Sequence, residues 1–200
     1  MQPIQATATT STPALWHLAF RAGFLLAASF AVLGMARWLY WMWWPEQWDF
    51  TLFPGWWHAH EMVFGFALPV VAGFLLTAVA TWTGIPGTTG WRLQLLFGLW
   101  LTARCLLWLL PGQLLFAWLA EMLFIALLMY ELTKRVWAVR QWRNMLFPPV
   151  LLALALFNSA SYWNADDPVL TTRLHYGALW MITVLIVIVG VKGGIERASL

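Results

Sequence analysis

Eight polar side chains sit in stretches of this sequence that are otherwise apolar: Arg37, His58, His60, Glu61, Arg104, Glu121, Asn158 and His175. Imidazole is a common ligand for haem iron and also suits copper, so His58, His60 and His175 are the candidate cofactor- and metal-binding residues. Glu61 and Glu121 have the opposite charge to Arg104. An intramembrane arginine held between two carboxylates is largely neutralised and fixed in place. Such a set serves either as a structural clamp or as the electrostatic wall of a site, with Asn158 as a further hydrogen-bonding member. Arg37 reads as a side chain that snorkels to an interface, and Trp100 and Trp108 lie four residues either side of Arg104, at cation–π spacing.

His58 and His60 lie two residues apart, about 200° around a regular helix. They cannot share one metal ion unless the helix is unwound there. His58 shares a face with Glu61, Gly65 and Ala72, where small residues admit a neighbouring helix or a flat ligand. Pro69 lacks an N–H; in an α-helix this frees the Gly65 carbonyl and predicts a kink below the histidines.

The elements that position these groups follow from composition. The 200 residues are 62% hydrophobic and 10% charged, against about 25% charged in soluble domains. Too little polar surface is available to cover a water-soluble globule, so the remaining surface faces lipid. Six apolar stretches are long enough to cross a bilayer, which takes about 20 helical residues. They run over 20–43, 56–80, 92–110, 114–133, 145–163 and 172–191, separated by breakers at Pro45, Pro54-Gly55, Gly84 to Gly90, Pro111-Gly112 and Asp166-Asp167-Pro168. The prediction is an all-α polytopic membrane protein, a single six-helix transmembrane domain over 1–200. No internal repeat or second domain is visible. The first apolar stretch reads as an uncleaved anchor.

Lysine and arginine fix the expected orientation. Arg21, Arg92, Lys134, Arg135, Arg140, Arg143, Lys192 and Arg197 flank one side and Arg173 alone flanks the other, so both termini are expected in the cytoplasm. The acidic loops with Glu46 and Asp49, and with Asp166 and Asp167, then face outward. Trp41, Trp43, Trp44, Trp56 and Trp57 are expected as an outer aromatic belt and Trp82, Trp91, Trp137 and Trp142 as an inner one. At about 1.5 Å per residue, His58, His60, Glu61, Arg104, Glu121, Asn158 and His175 all fall within about 3–11 Å of the outer boundary. Groups from five helices at one depth predict a common polar site. His17 reads as an interfacial residue on the opposite side. Scattered cations and a lone Cys105 give no basis for a nucleic-acid surface, an internal disulfide or a cysteine-based zinc site. Gly23, Ala27 and Ala31 form a small-residue stripe at which helices can meet, including those of a second copy.

One segment is specific enough to place the chain. Trp57-His58-Ala59-His60-Glu61-Met62-Val63-Phe64-Gly65-Phe66, continued by Ala72-Gly73-Phe74-Leu75-Leu76-Thr77-Ala78-Val79 and Trp82-Thr83-Gly84, resembles the NnrS family. Phe20-Arg21-Ala22-Gly23-Phe24-Leu25-Leu26 and Leu99-Trp100-Leu101 through Ala103-Arg104 resemble it too. The clear resemblance covers residues 18–110. It implies a bacterial inner-membrane protein that binds haem and copper and is linked to nitric oxide, nitrosative stress and denitrification. A binding or protective role is favoured over catalysis. The alternatives are a membrane redox enzyme acting on nitric oxide at haem, or half of a transporter-like bundle. Members of the family are about twice as long, with roughly a dozen spans. The region Gly190-Val191-Lys192-Gly193-Gly194-Ile195-Glu196-Arg197 also lacks the Gly-Arg-x-Ile-Pro-type motif expected there. A missing C-terminal half, or a second copy of the chain, is therefore an expected partner.

Overall fold

The computed structural model describes residues 13–48, 50 and 52–198; the side chains of Arg143 and of residues 189–198 are not described. Asp49, one of the acidic-loop residues above, lies outside the described residues. Six long helical rods dominate: α1 (Ala19–Trp43), α2 (Pro54–Thr83), α3 (Trp91–Leu109), α4 (Leu114–Ala138), α5 (Phe147–Trp163) and α6 (Pro168–Ala198). Among the described residues there are no strands. Five of the rods, all except α5, are long and apolar enough to cross a membrane. α5 has 17 residues, about 25 Å of helix against a hydrocarbon core of about 30 Å. Its start moves from the expected Met145 to Phe147 because Pro148 and Pro149 are tolerated only in a first helical turn.

Short connections force successive rods to run antiparallel. The proximal end gathers the short 3-10 turn Ala14–His17, the 84–90 segment and the 139–146 segment: the Gly90 N–H donates to the Trp16 carbonyl and Gln141 Nε2 donates to the Trp82 carbonyl. Gly84 and Gly90 take positive φ there, a backbone region that costs glycine nothing. The distal end gathers residues 44–48 and the 110–113 and 164–167 connections. α1 lies along α2, α3 pairs with α4, and α5 lies between α4 and α6.

α1 and α2 approach each other closely. A Cβ at Gly23 would meet the Pro69 carbonyl oxygen at 2.6 Å and the Gly73 Cα at 2.9 Å. The small-residue stripe expected to serve a partner is therefore used inside the chain, with Ala27 buried beside it.

α2 is not a uniform α-helix. It is α-helical over Pro54–His60, a π-helix over Glu61–Ala67 and α-helical again over Leu68–Thr83. The Leu68 N–H donates to the Val63 carbonyl, an i→i−5 bond. In that register the next donor, for the Phe64 carbonyl, falls on Pro69, which has no N–H. The Trp100 indole on α3 donates to the Phe64 carbonyl instead, at 3.1 Å. The freed carbonyl is thus that of Phe64 and not of Gly65, because the α-register assumed from the sequence does not hold through this turn.

The aromatic belts divide by burial. Trp43 and Trp44 are exposed at the distal end, and Trp91, Trp137 and Trp142 at the proximal end. Trp41, Trp56 and Trp57 do not join the outer belt. They are buried with Phe50, Leu52, Leu107 and Ala117 in an aromatic cap, because Trp48, Phe50 and Leu52 pack over them. Trp82 is partly buried and stacks on Phe147 at 5.6 Å.

Candidate functional site

Beneath that cap, five polar side chains from four rods converge. His60 and Glu61 come from α2, Arg104 from α3, Glu121 from α4 and Asn158 from α5, and all are at most 3% exposed. Arg104 Nη1 lies 3.2 Å from Glu61 Oε2, and Arg104 Nη2 pairs with Glu121 Oε1. Asn158 Nδ2 donates to Glu121 Oε2 at 2.6 Å, and Asn158 Oδ1 lies 3.1 Å from His60 Nε2. Since Oδ1 can only accept, Nε2 carries the hydrogen. His60 Nε2 is also 3.3 Å from Glu121 Oε2, and its Nδ1 faces Glu61 Oε1 at 3.5 Å. Two carboxylates against one guanidinium leave a carboxylate in excess, and the imidazole and the amide face it.

The π-turn creates this geometry. His60 ends the preceding α-turn and Glu61 opens the wide one, so two adjacent residues both reach the cluster. Gly65, one turn on, leaves room for the Glu61 carboxylate: a Cβ there would meet Glu61 Oε2 at 2.6 Å and clash with the Phe30 ring of α1. The space that small residues were expected to leave for a flat ligand is filled by Phe30. π-turns of this kind recur at functional sites.

Aromatic rings line the cluster. Trp56 stacks on the His60 ring with centroids 4.5 Å apart and an interplanar angle of 8°. Its indole donates to the Ser161 carbonyl at 3.1 Å. Tyr162 and His175 stand edge-on to that stack: Tyr162 is 5.1 Å from Trp56 and 5.2 Å from His60, and His175 is 5.8 Å and 5.9 Å away. Both ring nitrogens of His175 and the Tyr162 hydroxyl are buried with no hydrogen-bond partner. Tyr162 also lines a groove with Leu114, Leu115, Trp118 and Trp163, between the distal ends of α4 and α5.

The structure therefore brings together His60, Glu61, Arg104, Glu121 and Asn158, with His175 at their edge. It does not bring in His58, which turns away and lies flat against Trp38 of α1 at 4.3 Å. That separation follows from the regular α-turn that still holds between residues 58 and 60. The cation–π contact falls elsewhere than the sequence spacing suggests. Trp108 faces Arg37, whose guanidinium lies 5.4 Å from it and 4.3 Å from Trp41, while Trp100 caps the Phe64 carbonyl.

A second buried charge cluster, at the proximal end, was not anticipated. Glu131 accepts from Thr88 Oγ1 at 2.7 Å and from Arg135 Nη1 at 2.8 Å, and pairs with Lys134. Arg135 Nε donates to the Pro86 carbonyl at 3.0 Å. Lys134 and Arg135, read from sequence as loop cations, lie on the last turns of α4, which runs five residues past the expected Thr133. The available signal was the i, i+4 spacing of Glu131 and Arg135.

Among the described residues, no three His, Cys, Asp or Glu side chains converge as a metal ion would need. The His175 ring nitrogens, buried without a partner, are donors of the kind a metal centre uses. His58 Nδ1 is likewise without a partner, on a ring that is not fully buried.

A bundle of apolar rods closed around buried ion clusters defines an integral membrane protein of the polytopic helical class. A family model described as NnrS protein matches residues 14–192, and the chain belongs to that family. The match extends well past the motif region into α6. No curated protein and no solved structure matches the chain.

Proposed function

We propose that this chain is a haem-binding inner-membrane protein of the bacterial response to nitric oxide, with copper as a second candidate cofactor. The observation that carries the reading is the buried His60–Glu61–Arg104–Glu121–Asn158 network, with the unpartnered His175 and Tyr162 polar atoms at its edge. Buried charge in a bilayer is costly and defaults to function. Unpartnered buried donors beside it are what a bound cofactor would satisfy. Family membership supports the same cofactor. The chemistry that haem supplies is reversible binding of diatomic ligands at iron. The chain's own part is to hold a fixed, water-poor charge field beside it. The test is the visible spectrum of detergent-purified protein after haem reconstitution, with elemental analysis for copper. A Soret band that shifts on adding nitric oxide supports the reading; no Soret band and no copper discard it.

A second reading, a redox enzyme acting on nitric oxide, is favoured by one observation: three groups able to take up and release protons stand in line, with His60 Nδ1 3.5 Å from Glu61 Oε1 and His60 Nε2 3.3 Å from Glu121 Oε2. Glu61→Gln would then abolish nitric oxide turnover while keeping haem. Nitric oxide decay unchanged by the wild-type protein would count against it.

The proposed topology has six crossings, with α5 as the shortest, and both termini in the cytoplasm. The cation count supports this, as does the packing of α5 between α4 and α6. Reporter fusions at residues 87 and 141 active in the cytoplasm, and at 112 and 165 active in the periplasm, are the expected result. The reverse pattern overturns it.

A further inference from the structure

Cations and exposed aromatic rings gather at the proximal end of α4. Tyr130, Lys134 and Trp137 are spaced i, i+4, i+7 and so share one face of the helix. The Lys134 ammonium lies over the Tyr130 ring, 4.7 Å from its centroid. Trp142, beyond the helix end, folds back onto Trp137, with ring centroids 5.6 Å apart at 74°. Tyr130, Trp137 and Trp142 are 61%, 62% and 63% exposed. Arg140, between the two tryptophans in the chain, is exposed as well.

Arg140 holds an unusual backbone. α4 ends in a Schellman turn, in which the Gln141 N–H donates to the Val136 carbonyl and the Arg140 N–H to the Trp137 carbonyl. The turn places Arg140 in the left-handed region, at φ 52°, where glycine is the usual occupant. Among the described residues no other non-glycine has a positive φ. The helix dipole favours a cation here, but Lys134 and Arg135 already supply it from the helix itself. Glu131 is engaged by Lys134, Arg135 and Thr88. Among the described residues, Arg140 forms no ion pair. Neither the turn nor a protein carboxylate accounts for an arginine at this position.

We infer that this end of α4 binds the headgroup of an anionic phospholipid. Arg140 and Lys134 meet the headgroup charge, and Tyr130, Trp137 and Trp142 lie at the level of the glycerol backbone, where amphipathic rings settle. Below them the same side of α4 exposes Leu123 and Leu119, at i−7 and i−11 from Tyr130, as a track for an acyl chain. Cations that continue into a lipid-facing apolar track match an amphiphile, not a free anion. The site is separate from the buried histidine cluster at the distal end and does not depend on a cofactor there.

The experiment titrates the full chain in detergent with dioleoylphosphatidylglycerol or dioleoylphosphatidylcholine. Bound lipid is counted by native mass spectrometry and the thermal unfolding midpoint is read in parallel, with inorganic phosphate as the probe that lacks acyl chains. Wild type should prefer phosphatidylglycerol and gain midpoint from it, and inorganic phosphate should give no such gain. Arg140→Gly suits the left-handed turn, so in phosphatidylcholine it should unfold no earlier than wild type, while its preference for phosphatidylglycerol falls about five-fold. Lys134→Gln should lose a similar factor. Arg21→Gln, which removes an exposed cation of α1 at the same end of the bundle, should keep the wild-type preference. An unchanged preference in Arg140→Gly overturns the inference, as does an equal loss in Arg21→Gln or an equal midpoint gain from inorganic phosphate. A wild-type chain that does not distinguish the two lipids overturns it too.

Discussion

Arg104 is the residue on which the buried cluster depends. It contacts one carboxylate on α2 and another on α4, so removing it leaves both buried without a counter-charge. Arg104→Leu should destabilise the protein by about 3–5 kcal/mol, measured by denaturant titration of the detergent-solubilised chain. Replacing Arg104, Glu61 and Glu121 together by apolar residues of similar volume should cost much less, because no charge is then stranded. Equal losses in the single and triple variants would contradict the ion-cluster account. Asn158→Leu should fall between the two, since it removes one amide and leaves a Glu121 oxygen and His60 Nε2 without it.

At the scale of the element, the π-turn in α2 couples two residues that are far apart in sequence. Trp100→Phe removes the donor to the Phe64 carbonyl and should cost about 1–3 kcal/mol. Pro69→Ala restores a backbone N–H where that carbonyl can use it. The double variant Pro69→Ala/Trp100→Phe should therefore lose less than Trp100→Phe alone, a coupling of about 0.5–3 kcal/mol in a double-mutant cycle. Strict additivity would show that the indole and the proline are independent. Packing of α1 on α2 makes a second expectation. Gly23→Val puts a branched side chain where even one carbon meets the Pro69 carbonyl. It should reduce the yield of monodisperse protein, while Gly98→Ala, in open space on α3, should not.

For the whole molecule, charge is arranged at two levels. The distal cluster joins α2, α3, α4 and α5, and the proximal one ties the 84–90 segment to α4 through Thr88, Pro86, Glu131 and Arg135. Glu131→Ala should release that segment, with faster hydrogen exchange over 84–90 and little change near Glu121. Protection changes confined to the distal half would contradict the assignment. The outward surface is apolar along most rods, with Val32, Leu33, Leu119, Leu123, Leu152, Leu156 and Val187 exposed, as lipid contact requires.

Length and apolarity alone placed all six rods, since a bilayer admits few other structures, although α4 runs five residues and α6 seven residues past the expected ends. Depth along each rod also set His60, Glu61, Arg104, Glu121, Asn158 and His175 at one level. Rotation about each rod was another matter. Whether His58 or His60 turns inward depends on which neighbours pack against α2, and the π-turn that brings His60 and Glu61 together changes the register that any helical-wheel reading assumes. Trp56 and Trp57 looked like belt residues and became core because Trp48, Phe50 and Leu52 pack over them, a contact absent from local pattern. Glu131 and Arg135 were hidden by their position at a span's edge, where charge is ordinary. One-dimensional hydropathy fixes how deep a residue lies. Only the packing of helices against one another decides which way it faces and what it meets.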